Sequence, residues 1–404
     1  MLNQLVASPF EDDIERPPSV TWTVQCHKPV RYDVVVMPNL LDPANPALAE
    51  AGMHTSTDRS ATPRRFVVVD ANVDSIYGDK LRAYFTQRGI VHHLCVLRAC
   101  ESTKNLDSVR RIFGELDAFG IDRRREPIIA VGGGVLLDMV GLASSLYRRK
   151  TPYVRVPTTL IGLVDAGIGA KTGVNFGEHK NRVGTYEPPV AALLDRSFIV
   201  TQSSRELSNG LAEILKIALV KDSVLFDLLE SYGTRLLDER LQGLTPAGES
   251  AAREILRRAV QGMLEELQPN LWEQELERLV DYGHSFSPAL EMAALPSLLH
   301  GEAVTVDMAL TTLISFNRGL VTAAERDRVL AVMRELRLPI WHPACEPGLL
   351  GRALAETTRH RNGLQRLPLP SGIGSAKFVN DLGLDEVTDA ALALAGYAGK
   401  VGAR

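Results

Sequence analysis

Several features typical of other protein classes are scarce in this 404-residue sequence. Its four cysteines, at positions 26, 95, 100 and 345, form no Cys-x-x-Cys pair, which gives no disulfide framework and favours reduced thiols in a cytoplasmic protein. The formal net charge of −4 gives no basic excess for nucleic acid or an anionic membrane as a bulk partner. No apolar run is long enough to span a bilayer, and the first residues lack the basic start and apolar core of a signal peptide. A phosphorylated ligand would therefore need locally concentrated lysines.

The length and the order of apolar patterns predict two domains. Buried-strand runs such as RFVVVD, VHHLCVL and PIIAVG alternate with helical stretches up to about residue 200, which predicts a Rossmann-like α/β domain with a parallel sheet. From Leu207 onward the long apolar periods are helical. We therefore expect residues 1–200 to form a dinucleotide-binding α/β domain, preceded by a short strand pair around TWTVQC and YDVVVMP. Residues 201–404 are expected to form an all-α metal and substrate domain.

Three consecutive glycines, Gly132 to Gly134, follow a predicted strand and open a helix. Glycines at such a turn let the backbone approach a pyrophosphate, and a helix N-terminus favours negative charge. The spacing is not G-x-G-x-x-G, however, so a tight structural turn is an equal alternative. Asp70, at the end of an earlier strand, suits either a ribose-binding carboxylate or a helix N-cap.

Candidate metal ligands and phosphate-binding groups occur farther along the chain. Glu213 lies in NGLAEILK with Lys216 on the same helix face, while His284 and His300 lie in DYGHSFS and LHGEAV. One carboxylate and two imidazoles suit a catalytic zinc site with an open position, although three isolated residues on helices are more often structural. The stretch PTTLIGLVDAGIGAKTGVNFGEHKNRVGTY reads as a glycine-rich loop that concentrates lysines suited to a phosphate; the alternative is an exposed basic loop.

Six separated motifs together resemble the dehydroquinate synthase superfamily of sugar phosphate cyclases: GGGVLLD, PTTLIGLVDAGIGAKTGVN, HKN, NGLAEILK, GHSFSPALE and LHGEAV. They occur in the family's order and span roughly residues 65–380. The resemblance implies a dehydroquinate synthase-like fold and a homodimer that uses NAD and one zinc or cobalt ion. In the family's reaction an alcohol of a sugar phosphate is transiently oxidised, phosphate is eliminated, the hydride returns and an aldol step closes the ring.

The resemblance also implies roles for individual residues. Metal ligands would be Glu213, His284 and His300. Contacts to NAD would come from Asp70, Glu101, Lys104, Gly133, Gly134, Asp138, Thr158, Thr159, Lys171 and Lys180. Substrate and catalytic positions would be Asp165, Lys171, Asn181, Lys216, Asp281 and His360. Arg149 matches an arginine that the family lends to the neighbouring subunit.

Departures from the dehydroquinate synthase pattern select a subfamily. Dehydroquinate synthases have a sequence similar to N-L-G-H-T-F-G-H around the metal ligand. This chain has Asp281 in place of the asparagine and Pro288 in place of the second histidine. Thr358-Arg359-His360 replaces a lysine-rich D-K-K segment. An added carboxylate and lost lysines disfavour a substrate carboxylate, which leads us to expect a neutral polyol end. The pairing of Asp281 with His360 resembles the 2-epi-5-epi-valiolone synthases, which cyclise sedoheptulose 7-phosphate for aminocyclitol antibiotics.

Other interpretations stay open at this point. A cyclase that makes a different epimer from the same sugar differs in only a few pocket residues, and 3-dehydroquinate synthase itself is disfavoured by the charge argument alone. A glycerol-dehydrogenase-like or iron-dependent alcohol dehydrogenase shares the fold but would not need the AKTGVN and HKN region. A catalytically inactive binding or regulatory paralogue is opposed by intact Lys171, Lys216 and metal-ligand positions.

Overall fold

The computed structural model describes residues 6–7, 21–52, 62–177, 179–359 and 361–399. Strands of the first 200 residues are Val6–Ala7 (β1), Trp22–Thr23 (β2), Asp33–Val36 (β3), Arg64–Asp70 (β4), Val91–Leu97 (β5), Ile128–Gly132 (β6), Tyr153–Pro157 (β7), Lys171–Phe176 (β8), His179–Tyr186 (β9) and Ala191–Leu194 (β10). The α-helices among them are Ala47–Glu50 (α1), Ala71–Gln87 (α2), Leu106–Phe119 (α3) and Gly134–Leu146 (α4).

Helices dominate the remaining chain: Ser204–Val220 (α5), Ser223–Asp238 (α6), Pro246–Leu267 (α7), Ser287–Ala293 (α8), His300–Asn317 (α9), Ala323–Glu335 (α10), Pro347–Arg359 (α11) and Leu384–Gly399 (α12). Leu367–Pro370 (β11) and Ala376–Val379 (β12) form an antiparallel pair in this half, which the helical periodicity did not predict. No helix in the described ranges has the length and apolar character needed to cross a membrane.

Six parallel strands form the main sheet in the order β3-β10-β7-β6-β4-β5. Strands β4, β6 and β7 are almost wholly buried, because their valine- and isoleucine-rich sequences are covered on both faces. The predicted parallel α/β architecture is confirmed. The chain passes from β4 to β5 on one side and then to β6 on the other, so a crevice opens at the carboxyl ends of β4 and β6.

Two local predictions in this half are wrong. The strand around TWTVQC does not pair with that around YDVVVMP: β2 pairs with β1, whereas β3 joins the edge of the main sheet beside β10. The predicted glycine-rich loop contains the antiparallel hairpin β8–β9. Glycines conceal the strand pattern here because the two backbones approach closely, and a Cβ on Gly184 would lie 2.2 Å from the Thr172 carbonyl oxygen.

Helices α5 and α9 form the centre of the helical half. Residues 207–220 of α5 and 301–315 of α9 are buried, and these stretches include the charged side chains of Glu213, Lys216 and Asp307. The two helices approach closely where the Gly301 amide donates to the Asn209 side chain at 2.5 Å, and a Cβ on Gly301 would lie 2.0 Å from the Asn209 carbonyl oxygen. The last strand of the main sheet ends at Leu194 and α5 begins at Ser204, which suits the proposed domain boundary near residue 200.

Gly301→Ala is expected to destabilise the fold by about 1–3 kcal/mol, because the added methyl group meets backbone that cannot rotate away. Gly114→Ala in α3 is the matched control: its Cβ would meet nothing within 4 Å, so stability should stay equal or rise by about 0.5–1 kcal/mol. Urea unfolding of both variants measures the difference. Wild-type stability in Gly301→Ala would contradict the close helix approach described above.

Candidate functional site

A cavity of about 1270 Å³ opens between the carboxyl edge of the sheet and the helical half. Both the glycine turn and the two histidines border this cavity, although they lie more than 140 residues apart in the sequence. Most of the predicted site residues line it: Asp70, Glu101, Lys104, Gly133, Gly134, Asp138, Thr158, Thr159, Asp165, Lys171, Lys180, Asn181, Lys216, Asp281, His284 and His300. Glu213 lies fully buried beside His284 and His300. Arg149 is not among the residues that line the cavity, and His360 lies outside the described residues.

The nucleotide end is formed by the first turns of α2 and α4 and by the loop that follows β7. Helix α4 begins at Gly134 with Gly133 as its N-cap and no side-chain cap hydrogen bond, which leaves its N-terminus free for an anion. A Cβ on Gly133 would lie 3.1 Å from the Thr159 methyl group, so the turn leaves little room for side chains. The buried Thr158 hydroxyl makes no hydrogen bond within the described part of the chain. This glycine cradle and unpaired hydroxyl fit a dinucleotide.

Asp70 is the N-cap of helix α2, which is one of the two roles that the sequence allowed for it. One carboxylate oxygen accepts the Asn72 amide at 2.8 Å at the start of α2, and the other accepts the Ala99 amide at 3.0 Å. Both oxygens retain further lone pairs, and Asp70 lines the cavity at the end of β4. The cap is therefore observed, while a ribose contact stays a prediction.

Glu101 and Lys104 have different partners across the cavity edge. The Glu101 carboxylate accepts the Asn175 side-chain amide at 2.8 Å. The buried Lys104 ammonium donates to Asp138 at 2.7 Å and to the Asn181 side-chain oxygen at 2.5 Å. Lys104 thereby links helix α4 to hairpin β8–β9.

Glu213, His284 and His300 converge as the sequence predicted: one ligand atom from each lies within 4.8 Å of the others. His300 Nε2 is 3.2 Å from Glu213 Oε1, and His284 Nε2 is 3.9 Å from the same oxygen. Oε1 of Glu213 therefore faces the two ring nitrogens, whereas Oε2 faces the Lys216 ammonium. Imidazole nitrogen and carboxylate oxygen are the ligands that catalytic zinc takes, and the open fourth position suits a substrate oxygen.

Hydrogen bonds to the other ring nitrogens orient both histidines. His284 Nδ1 lies 3.1 Å from the Tyr282 carbonyl oxygen, and His300 Nδ1 lies 2.9 Å from Glu291 Oε2. A donor bond at Nδ1 leaves Nε2 free to bind a metal. Burial lowers the pKa of His284 to about 4, which keeps its imidazole neutral. Burial also opposes charge on His300, but Glu213 and Glu291 outweigh it and raise that pKa to about 9 in the metal-free site.

Lys216 is buried against the metal cluster. Its ammonium lies 2.6 Å from Glu213 Oε2, one helical turn away on α5. Burial opposes its positive charge, but Glu213 and Asp165 outweigh burial and raise the pKa of Lys216. Burial raises the pKa of Asp165 against the opposing effect of Lys216. These groups place a lysine ammonium and a carboxyl group beside the open metal position.

Asp281 is compensated by two arginines, which corrects the charge argument made from the sequence. Arg278 donates to Asp281 Oδ1 at 2.5 Å, and Arg361 donates to Oδ2 at 3.1 Å. Burial alone would raise the pKa of Asp281, but Arg278, Lys171 and Arg361 outweigh it and hold the pKa below its usual value. Asp281 is thus a paired anion at the cavity wall, so simple repulsion of a substrate carboxylate does not follow from it.

Hairpin β8–β9 contributes three predicted residues: Lys171 begins β8, while Lys180 and Asn181 lie on β9. Lys171 lies 2.5 Å from Glu273, and Lys180 lies 2.6 Å from Glu291. The predicted residue set omitted these two acids of the helical half. Glu291 was within reach of sequence reasoning, since it lies in the same motif as His284, GHSFSPALE. Glu273 has no comparable motif.

Arg149 lies on the surface after α4. Arg148, Arg149 and Lys150 all have positive φ values, of 50°, 60° and 95°. Three successive non-glycine residues in this region are unusual, since each incurs a steric cost. The turn presents Arg149 outward from the first domain.

Comparison with known proteins adds family information to this geometry. The model for the N-terminal domain of 3-dehydroquinate synthase matches residues 94–209, and that for the C-terminal domain matches residues 210–359. A 2-epi-5-epi-valiolone synthase from Actinomyces sp is 62% identical over 373 residues, which cover 92% of this chain and 97% of that protein. A 2-epi-valiolone synthase from Stigmatella aurantiaca is 31% identical over 370 residues, with 89% and 88% covered.

A solved structure is also similar along nearly the whole chain. It is 2-epi-5-epi-valiolone synthase from Streptomyces hygroscopicus subsp. jinggangensis 5008 with NAD+ and Zn2+ bound. The two chains are 58% identical and superpose with a TM-score of 0.87, covering 93% of this chain and 100% of that chain.

Glu291→Ala is expected to weaken zinc binding by about 10- to 100-fold, because His300 loses the partner that orients its ring. Competition with a chelator of known affinity measures the change. Glu265→Ala on α7 is a control for removing an acidic side chain outside the cavity, and it should leave zinc affinity unchanged. Wild-type zinc affinity in a folded Glu291→Ala variant would contradict the orienting role of Glu291.

Proposed function

The chain belongs to the 3-dehydroquinate synthase family, and from this membership we propose that it is a 2-epi-5-epi-valiolone synthase, which cyclises sedoheptulose 7-phosphate with release of phosphate. The observation that carries the proposal is one cavity that joins a nucleotide cradle at the sheet edge to the cluster of Glu213, His284 and His300. Such a cavity suits chemistry in which a sugar hydroxyl meets a metal and NAD at once.

Specific residues would hold the cofactors. The carboxyl ends of β4, β6 and β7, with Gly133, Gly134 and Thr158, suit NAD; Glu213, His284 and His300 suit one zinc or cobalt ion. When bound, NAD supplies reversible hydride transfer, and the metal supplies Lewis acidity toward substrate hydroxyls.

The remaining polar groups would bind and orient the sugar phosphate. Lys216 and Asp165 lie beside the open metal position, where they suit proton transfer and hydrogen bonding to substrate hydroxyls. Lys171, Lys180 and Asn181 line the hairpin side, where ammonium and amide groups suit the phosphate. Asp281 would accept a hydrogen bond from a substrate hydroxyl with its remaining lone pairs.

The subfamily assignment is supported by extended similarity and by the metal-binding loop. Four relatives named 2-epi-5-epi-valiolone synthase are 56–62% identical to this chain over more than nine-tenths of it, and a fifth is 41% identical, against 31% for the 2-epi-valiolone synthase. Pro288 cannot replace the second histidine of the dehydroquinate synthase pattern, because its side chain neither donates nor accepts a hydrogen bond. We infer that the product belongs to aminocyclitol biosynthesis. A cyclase with a different epimeric product and 3-dehydroquinate synthase remain the competing candidates.

The protein with NAD and zinc is expected to convert sedoheptulose 7-phosphate to 2-epi-5-epi-valiolone and one equivalent of phosphate, without net formation of NADH. Product NMR identifies the epimer, a phosphate assay gives the stoichiometry, and absorbance at the NADH band follows the cofactor. The seven-carbon sugar acid phosphate used by 3-dehydroquinate synthase serves as the comparison substrate. We expect its kcat/KM to be lower by at least about 100-fold.

Three outcomes separate the candidates. NADH that accumulates in step with product would identify a plain dehydrogenase. A different epimer would identify a sister cyclase, and comparable turnover of the sugar acid would favour 3-dehydroquinate synthase. Replacing His284 by Ala in the same assay is a control, because that protein should lose both the metal and turnover.

We also propose a homodimer in which each subunit lends Arg149 to the cavity of its neighbour. The proposal is supported by the outward position of Arg149 on a strained turn and by its absence from the lining of its own cavity. A shared site is common where a closed symmetric dimer brings the same surface of both copies together.

Subunit complementation tests this arrangement. Arg149→Ala and Lys216→Ala should each be inactive alone, whereas co-expression should restore about a quarter of wild-type activity, because half of the dimers are mixed and each has one intact site. Arg148→Ala is the control for loss of a neighbouring surface cation and should remain active by itself. A fully active monomer, or co-expressed protein without recovery, would refute the shared site.

A further inference from the structure

Arg155, on the central strand β7, is fully buried and uses its guanidinium to bind backbone. It donates to the carbonyl oxygens of Ala166 at 2.8 Å, Gly169 at 2.7 Å and Lys171 at 2.8 Å. All three acceptors belong to the single segment 166–171, which enters hairpin β8–β9. One side chain therefore fixes the path of this segment at three points.

The positive charge of Arg155 has no acidic counterpart. Among the residues that the structure describes, no aspartate or glutamate lies within ion-pair distance of its guanidinium, and its buried Nε makes no hydrogen bond. Besides the three carbonyls, the ring of Tyr153 faces the guanidinium carbon, with its centroid at 5.4 Å. A buried unpaired cation is costly, so its presence beside a cavity indicates a use for positive potential there.

The segment that Arg155 holds connects two proposed substrate residues. Asp165 lies in the π-helical turn Gly162–Ala166 at one side, and Lys171 begins β8 at the other. Tyr32 from the N-terminal region adds a fourth anchor, since its hydroxyl donates to the Ile168 carbonyl oxygen at 2.8 Å. The carbonyls of the segment are thus held by side chains on one side, while Ala166, Gly169, Ala170 and Lys171 line the cavity.

We propose that Arg155 is a positioning residue for the anion subsite: it fixes segment 166–171, sets the place of Lys171, and supplies uncompensated positive potential to a bound phosphate group. For the identity of the substrate this inference rests on the proposed function. The binding of inorganic phosphate does not depend on that identity.

Arg155→Gln removes the charge and most of the carbonyl bonds. We expect the Kd for inorganic phosphate, measured by titration calorimetry on the zinc- and NAD-loaded protein, to rise about tenfold, and KM for sedoheptulose 7-phosphate to rise in parallel. The zinc content should change less than about twofold, because none of the three residues that Arg155 binds is a metal ligand. The Kd for NAD should rise less than the Kd for phosphate, because Arg155 makes no hydrogen bond to the glycine turn or to Thr158 within the described part of the chain. Arg155→Lys keeps the charge but cannot span three carbonyls, so it should recover only part of the lost phosphate affinity.

Arg65 provides a matched control. It is also a fully buried arginine on a parallel strand of the same sheet, and it too donates to backbone carbonyls, those of Ala49 and Arg64, but it does not line the cavity. Arg65→Gln should therefore destabilise the protein without changing the phosphate Kd of the folded fraction. Tyr32→Phe is a milder probe of the same segment and should raise the phosphate Kd by about threefold.

The outcomes are distinguishable. Unchanged phosphate Kd and KM in Arg155→Gln, equal weakening of phosphate and NAD binding, or the same phosphate effect in Arg65→Gln would each overturn the inference. If Arg155→Gln does not fold, unchanged phosphate binding in both Arg155→Lys and Tyr32→Phe would overturn it. The wild-type protein could also fail to convert sedoheptulose 7-phosphate while the variants still bind inorganic phosphate more weakly than wild type. That result would support the anion subsite and refute the proposed substrate.

Discussion

The carboxylate of Glu213 is fully buried, and the functional geometry depends on the groups that make such a charge tolerable. An isolated ionised carboxylate in an apolar interior is strongly disfavoured, so it must be paired or coordinate a metal. Lys216 supplies one partner from the same helix at 2.6 Å, and two imidazole nitrogens approach, one from the start of α9 and one from the loop before α8. The close approach of α5 and α9 at Gly301 makes this possible, since Glu213 and His300 lie near that contact.

Hairpin β8–β9 connects this metal cluster to the nucleotide end. Lys180 reaches Glu291, which orients His300, while Lys171 and Tyr186 reach Glu273 in the helical half. On the other side Lys104 holds Asn181 and Asp138. Two of the ion pairs between the halves, Lys171–Glu273 and Lys180–Glu291, therefore lie on one hairpin, and the second of them links a proposed phosphate-binding lysine to the carboxylate that orients His300. A conformational change in either half would therefore shift both the hairpin lysines and the acids of the helical half that they contact.

The cavity wall near Asp281 shows why residue identity alone is a weak guide to specificity. From the sequence, the carboxylate of Asp281 predicts that an acidic substrate is disfavoured. In the structure Arg278 and Arg361 pair with the Asp281 carboxylate, so its charge alone does not predict that an acidic substrate is repelled. Selectivity against a sugar acid would then depend on the hydrogen-bonding geometry of the pocket and on Pro288, rather than on net repulsion.

The sequence by itself determined the alternation of strands and helices in the first half, the parallel sheet, the mainly helical second half and, through the family resemblance, the three metal-ligand candidates. These features depend on local periodicity and on motifs of a few residues, both of which can be recognised in the sequence without a structure. It misjudged β8–β9, where glycines at a close backbone contact hide the strand pattern. Only the tertiary structure decided which charges meet: Glu291 with His300 and Lys180, Arg361 with Asp281 across 80 residues, and Arg155 with three carbonyls of one segment. These contacts depend on how elements that are distant in sequence pack against each other. The sequence pattern of a single element does not indicate how far its side chains lie from those of another element.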